Sequence, residues 1–136
     1  MISVDMSELK KYRLSLGNAR VDDTIQATLK EAVSLALRRT KQKTPVLSGH
    51  LRRGWQVTNI EKEGNNWVVT LFNDVKYAMY VEYGHRTRIN QKTGLRKGFV
   101  PGRYMMKISC EEVERDMTAI IDKHMKIFFS KMGYKS

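Results

Sequence analysis

The chain has a single cysteine, Cys110, so no internal disulfide can brace it. That usage fits a reducing compartment. It has only two prolines, Pro45 and Pro101, and no apolar run near the roughly 20 residues needed to cross a bilayer. A membrane partner is therefore not expected. The opening Met1-Ile2-Ser3-Val4-Asp5 has no basic segment followed by an apolar stretch, so a secretory signal is not expected either. Acid is also in short supply: 14 Asp and Glu stand against 25 Lys and Arg, a formal charge of +11. A domain this basic usually faces nucleic acid, an anionic surface or an acidic partner.

What is present fits an ordinary folded chain. At 136 residues, 41% of them apolar, it is read as one domain, 1–136, with enough length for a core. The positive charge comes in two blocks. From Arg38 to Arg53 there are six Lys or Arg and no acid, and from His85 to Arg103 six more, again with no acid. Both blocks lie in connecting regions, which predicts a basic face.

Asp5 or Ser7 is read as the cap of a short first helix carrying Leu9, Tyr12 and Leu16, with Gly17-Asn18 as its stop. Asp22-Asp23-Thr24 then opens a long helix, about 22–42. Ile25, Leu29, Ala32, Val33, Ala36 and Leu37 form its apolar stripe, and Pro45 ends it. Segments 54–63 and 67–73 alternate around Glu63-Gly64-Asn65-Asn66 and read as a β-hairpin. Tyr77 to Tyr83 fits either a third strand or one helical turn, with Tyr77, Val81 and Gly84 at helical spacing favouring the turn. A basic loop, 85–98, follows and is read as flexible or as an exposed hairpin arm, with Phe99-Val100 returning as a strand.

A second long helix, about 103–132, carries Met106, Cys110, Val113, Met117, Ile120, His124 and Phe128 at four-three spacing. Ile121, Met125 and Phe129 widen that stripe beyond what one domain needs. Gly133 is its expected stop. The expected class is α+β: an antiparallel sheet of that hairpin plus one or two further strands, packed against two long helices.

Catalytic chemistry finds little support. Cys110 lies on an apolar stripe and reads as a core residue. His50, His85 and His124 share no metal-ligand spacing. Gly94, Gly98 and Gly102 match no phosphate loop and read as loop freedom. Glu82, the lone acid between the basic blocks, is expected to pair with Arg52, Arg53 or Arg86. No catalytic, cofactor-binding or metal residue is assigned, and no enzyme is expected. Arg52, Arg53, Arg86, Arg88, Lys92, Arg96, Lys97 and Arg103 are the candidates for contact with nucleic acid or neighbouring subunits. No helix-turn-helix, zinc finger or RNA-recognition signature accompanies them.

Three phrases, in order, resemble the small tail-component family of tailed bacteriophages and prophages, the neck or tail-completion proteins. They are Thr44-Pro45-Val46-Leu47-Ser48-Gly49-His50-Leu51-Arg52, Tyr77-Ala78-Met79-Tyr80-Val81-Glu82-Tyr83-Gly84 and Phe99-Val100-Pro101-Gly102-Arg103-Tyr104-Met105. The resemblance spans about Ala27 to Met117. It implies a non-enzymatic virion protein without cofactors, acting in head–tail joining or tail completion. It also implies a ring oligomer, expected as a hexamer, around the DNA channel. The implied partners are head-connector and tail proteins, with non-specific contact to genomic DNA. The implied location is the virion, after assembly in the host cytoplasm. The runner-up reading is a small basic nucleic-acid-binding module.

Overall fold

Two long helices and an antiparallel sheet form the frame, as the periodicity predicts. A computed structural model describes residues 2–5, 11–17, 22–46, 49–86, 92–94 and 98–131, with side chains from residue 22 onward. Helix α1 (Asp22–Lys43) has Asp22 and Asp23 in its first turn and Lys41 and Lys43 in its last, each matching the dipole of its end. Helix α4 (Met105–Lys131) closes the described chain. Between them lie α2 (His50–Arg53) and α3 (Ala78–Tyr83), both short. The predicted helical turn at Tyr77 to Tyr83 is thus the form the chain takes.

The main sheet runs β1 (Ile2–Asp5), β2 (Lys11–Gly17), β5 (Asn66–Asn73), β3 (Trp55–Val57), with β4 (Glu61–Glu63) also paired to β5. The short first helix expected over the opening residues is therefore wrong: residues 2–5 and 11–17 are strands. Tyr12, Leu14 and Leu16 alternate with Lys11, Arg13 and Ser15, a period of two that fits a strand. The pairing also gives each residue of Lys11–Gly17 a partner on β5, with Leu14 opposite Val69. Ser7, Leu9 and Asn18, assigned to that helix, lie outside the described residues, as does Gly133.

The predicted hairpin is real but its first strand is broken. In β3, Val57 faces Leu71, while in β4, Glu61 faces Val68. Three residues, 58–60, therefore oppose two, 69–70, which is a β-bulge. Thr58 closes it: its N–H donates to Thr70 O at 2.9 Å, and its Oγ1 accepts from Thr70 N–H at 3.0 Å. The extra residue lets Ile60 pack against the core, where unbroken alternation with Trp55 would turn it away.

Helix α1 touches β2, β3 and β5 of the sheet and also α4. Leu29, Ala32 and Ala36 are fully buried, and the two alanines let the backbones approach closely. Helix α4 runs antiparallel to α1, fixed by Lys43–Glu112 at 2.7 Å, Arg39–Asp116 at 2.8 Å, and Glu31 with Lys123 and His124. Met105, Met106, Cys110, Val113, Met117 and Ile120 complete the core. Cys110 is a buried core residue as expected. Beyond Ile120 the stripe opens: Ile127 and Phe129 are exposed.

Candidate functional site: the joints and the basic surface

Each of the three phrases forms a joint held by polar contacts. At the first, Thr44 is buried; its hydroxyl donates to Thr40 O at 2.6 Å and accepts from Trp55 Nε1–H at 2.9 Å. Gly49 takes φ 77°, which glycine tolerates, and its carbonyl accepts from Arg53 N–H. Arg52 turns back and donates from Nε to Lys41 O at 3.0 Å, satisfying a carbonyl at the end of α1. Asn73, 1% exposed, donates to Leu51 O and accepts from Val75 N–H, tying α2 to the sheet.

The second and third phrases make one joint. Glu82 is 2% exposed and forms no ion pair with Arg52, Arg53 or Arg86, which corrects the expected salt bridge. Its two carboxylate oxygens accept instead from the backbone N–H groups of Met106 (3.0 Å) and Lys107 (2.9 Å), in the first turn of α4. Free N–H groups and the positive end of a 27-residue helix satisfy the buried charge as an arginine would. Two main-chain bonds reinforce the joint, from Arg103 N–H to Val81 O at 2.8 Å and from Tyr104 N–H to Glu82 O at 3.0 Å. Tyr104 sits at φ 48°, an unusual setting for a residue with a side chain. Its ring meets Tyr83 edge-on at 6.2 Å. Burial, and then the negative charge of Glu82 and the presence of Tyr104, push the Tyr83 hydroxyl above its ordinary pKa.

Gly102 belongs to this contact and is not a hinge for loop freedom. A Cβ there would lie 2.5 Å from the Tyr83 carbonyl carbon. Gly84, at φ 85°, is equally tight against Gly102 N and Val100 O. From Gly84 the chain leaves as β6 (Gly84–Arg86), paired antiparallel with β7 (Phe99–Pro101), so the arm begins as a two-stranded ribbon and the expected loop starts later than 85. Phe99 and Val100 are 60% and 42% exposed.

The candidate basic residues divide. Arg52 is half-buried and holds the end of α1, whereas Arg53, Arg86, Lys92 and Arg103 are exposed. Arg88, Arg96 and Lys97 lie outside the described residues. Arg53 borders an open groove of about 550 Å³ with His50, Gln56, Asp74, Val75, Lys76 and Tyr77. Lys76 was not among the candidates; it falls between the two charge blocks, and folding brings it beside Arg53. A second groove of about 370 Å³, where α1 meets Arg52 of α2, is lined by Leu37, Arg38, Lys41 and Arg52 with Ser34 and Gln42. Arg39 and Lys43 are instead neutralised by α4.

Among the described residues no group of three or more His, Cys, Asp or Glu could hold a metal ion, and no helix is long and apolar enough to cross a membrane. What the site offers is joints, an exposed apolar ribbon and positive charge, which are means of contact.

Residues 7–84 match a protein-family profile described as "Bacteriophage HK97-gp10, putative tail-component". The match takes in the first two phrases and ends at Gly84, so the third lies beyond it. No curated protein and no solved structure gives a significant match to the chain. With more than half its length matched, the chain belongs to the HK97-gp10-like family of phage tail components, structural proteins of the virion.

Proposed function

We propose that this tail component acts at the head–tail junction, in tail completion or head–tail joining, as a subunit of a ring around the channel that DNA crosses. The observation that carries the reading is the β6–β7 ribbon. It projects from the rigid Glu82 joint and presents Phe99 and Val100 to solvent. Exposed apolar residues on a two-stranded ribbon, which pairs with no other strand among the described residues, suit a clasp onto a neighbouring chain. Members of a ring clasp head to tail, each ribbon reaching the next subunit. A hexamer is the copy number proposed, with +11 formal charges per subunit near a polyanion. The immediate partners are other copies of this chain and the neighbouring connector and tail proteins. The protein works without catalysis and is assembled in the host cytoplasm.

Analytical ultracentrifugation with the adjacent connector and tail proteins tests this. Wild-type protein is expected to assemble, and Phe99→Glu with Val100→Glu to remain a folded, unassembled subunit. Absence of any association by wild-type protein sinks the reading. The runner-up, a small basic nucleic-acid-binding module, predicts DNA binding with no assembly under the same conditions.

A further inference from the structure

Helix α3 carries a line of exposed side chains that the clasp does not use. His50 of α2 meets Tyr77 edge-on, with ring centroids 6.4 Å apart, and His85 of β6 meets Tyr80 in the same way at 6.0 Å. Tyr77 caps α3 and Tyr80 follows one turn later, so the two pairs lie along one face of the helix. Both tyrosines are exposed, at 42% and 51%. Positive charge flanks them at each end. Arg53 and Lys76 border the groove that His50 and Tyr77 share, and Arg86 follows His85 at the base of the arm. Arg53, Lys76 and Arg86 form no ion pair among the described residues. The carboxylate in the groove is Asp74, which accepts from Gln56 Nε2–H at 3.1 Å.

We propose that the band from Arg53 and Lys76 through Tyr77 and Tyr80 to Arg86 is a DNA-contact surface that reads no sequence. It deepens the reading of a subunit placed around passing DNA and names the face turned toward it. Phosphate oxygens take hydrogen bonds from arginine, lysine and tyrosine hydroxyl groups, the side chains exposed here. They are spread over α2, α3 and β6, as suits an extended polyanion. The face carries tyrosine, histidine and cations with no exposed aliphatic residue between them, which argues against an amphipathic protein segment as occupant. Neither helix of the band is built to read bases: α2 has four residues and α3 six, too short to lie along a major groove. The interhelical cations Arg39 and Lys43 do not compete, being held by Asp116 and Glu112.

The test is fluorescence anisotropy of a labelled duplex with the full chain, across a salt series. Three phosphate contacts contribute about 2.7 to the slope of log affinity against log salt. Over a fourfold rise in salt that is roughly a 40-fold loss of affinity. Arg53→Gln with Lys76→Gln is expected to lower the slope by about 1.8. Lys30→Gln with Lys131→Gln changes net charge equally but lies off the band, and should leave the slope unchanged. Asp74→Asn removes a groove carboxylate and should tighten binding. Circular dichroism confirms that each variant is folded.

Equal losses in the two double variants would show that net charge alone binds DNA and would overturn the proposal. So would absence of DNA binding by wild-type protein at low salt. If the band variants kept DNA binding but lost association with an acidic neighbouring virion protein, the band would be a protein interface. The isolated subunit is used throughout, so failure here leaves the ring reading standing, and failed assembly leaves this surface standing.

Discussion

Glu82→Gln is the substitution that most directly probes how the subunit is held together. The side chain keeps its shape and loses its charge. Where the carboxylate accepts from Met106 and Lys107 N–H at 3.0 and 2.9 Å, the amide offers one acceptor and one donor. One backbone N–H then faces an NH₂ group and loses its partner. A hydrogen bond to a charged group is worth about 1.5–3 kcal/mol and a neutral one about 0.5–1.5 kcal/mol. Loss of the favourable charge at the helix end adds about 0.3–1 kcal/mol, more when partly buried. With Glu82 only 2% exposed, solvent does not soften the change. The expected cost is about 2–4 kcal/mol of a total near 5–15 kcal/mol. Urea denaturation measures it as a lower midpoint at unchanged slope. Amide exchange should rise first at Met106 and Lys107. A cost under about 0.5 kcal/mol would refute the cap. So would a double-mutant cycle coupling Glu82 to Arg86 or Arg53 by more than that, which would restore an ion pair.

Thr44→Val keeps the volume but removes the hydroxyl that accepts from Trp55 Nε1–H. It should cost about 1–3 kcal/mol and shift the emission of Trp55. Gly84→Ala forces a side chain into φ 85° against Val100 O and Gly102 N. It should cost at least about 1–3 kcal/mol and loosen the arm, seen as faster proteolysis between β6 and β7. Acid should weaken the helix pair modestly. The Glu112 carboxyl is held below the usual carboxylate range by the hydrogen bond from Lys43, and that of Glu31 by the bond from Lys123, then by that from His124, against partial burial. Because the folded values are the lower ones, the unfolded chain binds more protons. This stabilisation is therefore present above about pH 4.3 and lost as pH falls through the folded values. Both pairs are partly solvated, so each is worth under about 1 kcal/mol, and Lys43→Ala should flatten the acid limb of a stability–pH curve.

The elements that could be read from sequence are those whose signal is carried by their own residues. Ile25, Leu29, Ala32, Val33 and Ala36 define α1 by spacing alone, and Met106 to Ile120 do the same for α4. The opening segment was ambiguous because it is short. Leu9, Tyr12 and Leu16 suit a helix, while Tyr12, Leu14 and Leu16 suit a strand, and pairing with β5 decides between them. Nothing in the spelling of 54–63 marks the bulge, which is set by where β5 pairs on each side of it. The role of Glu82 was hidden for a related reason. Its partners are main-chain N–H groups 24 and 25 residues away, and such donors have no residue type. The bond by which Arg52 satisfies a carbonyl of α1 was hidden on the same ground. Arg53 and Arg86 were legible as exposed charge, but Lys76 needed the fold to bring it beside Arg53.

The Glu82 joint also determines where force travels. The ribbon of β6 and β7 is bonded at its base to the first turn of α4 through Glu82, Arg103 and Tyr104. Helix α4 is in turn clamped along α1 by the Lys43–Glu112 and Arg39–Asp116 pairs and by Glu31 with Lys123. If a neighbouring chain pulls on the ribbon, the load enters α4 through this joint, and the many hydrogen bonds of a 27-residue helix share it. Ribbon and helix form a single lever, so a load arriving at one subunit would be carried as tension along its helices.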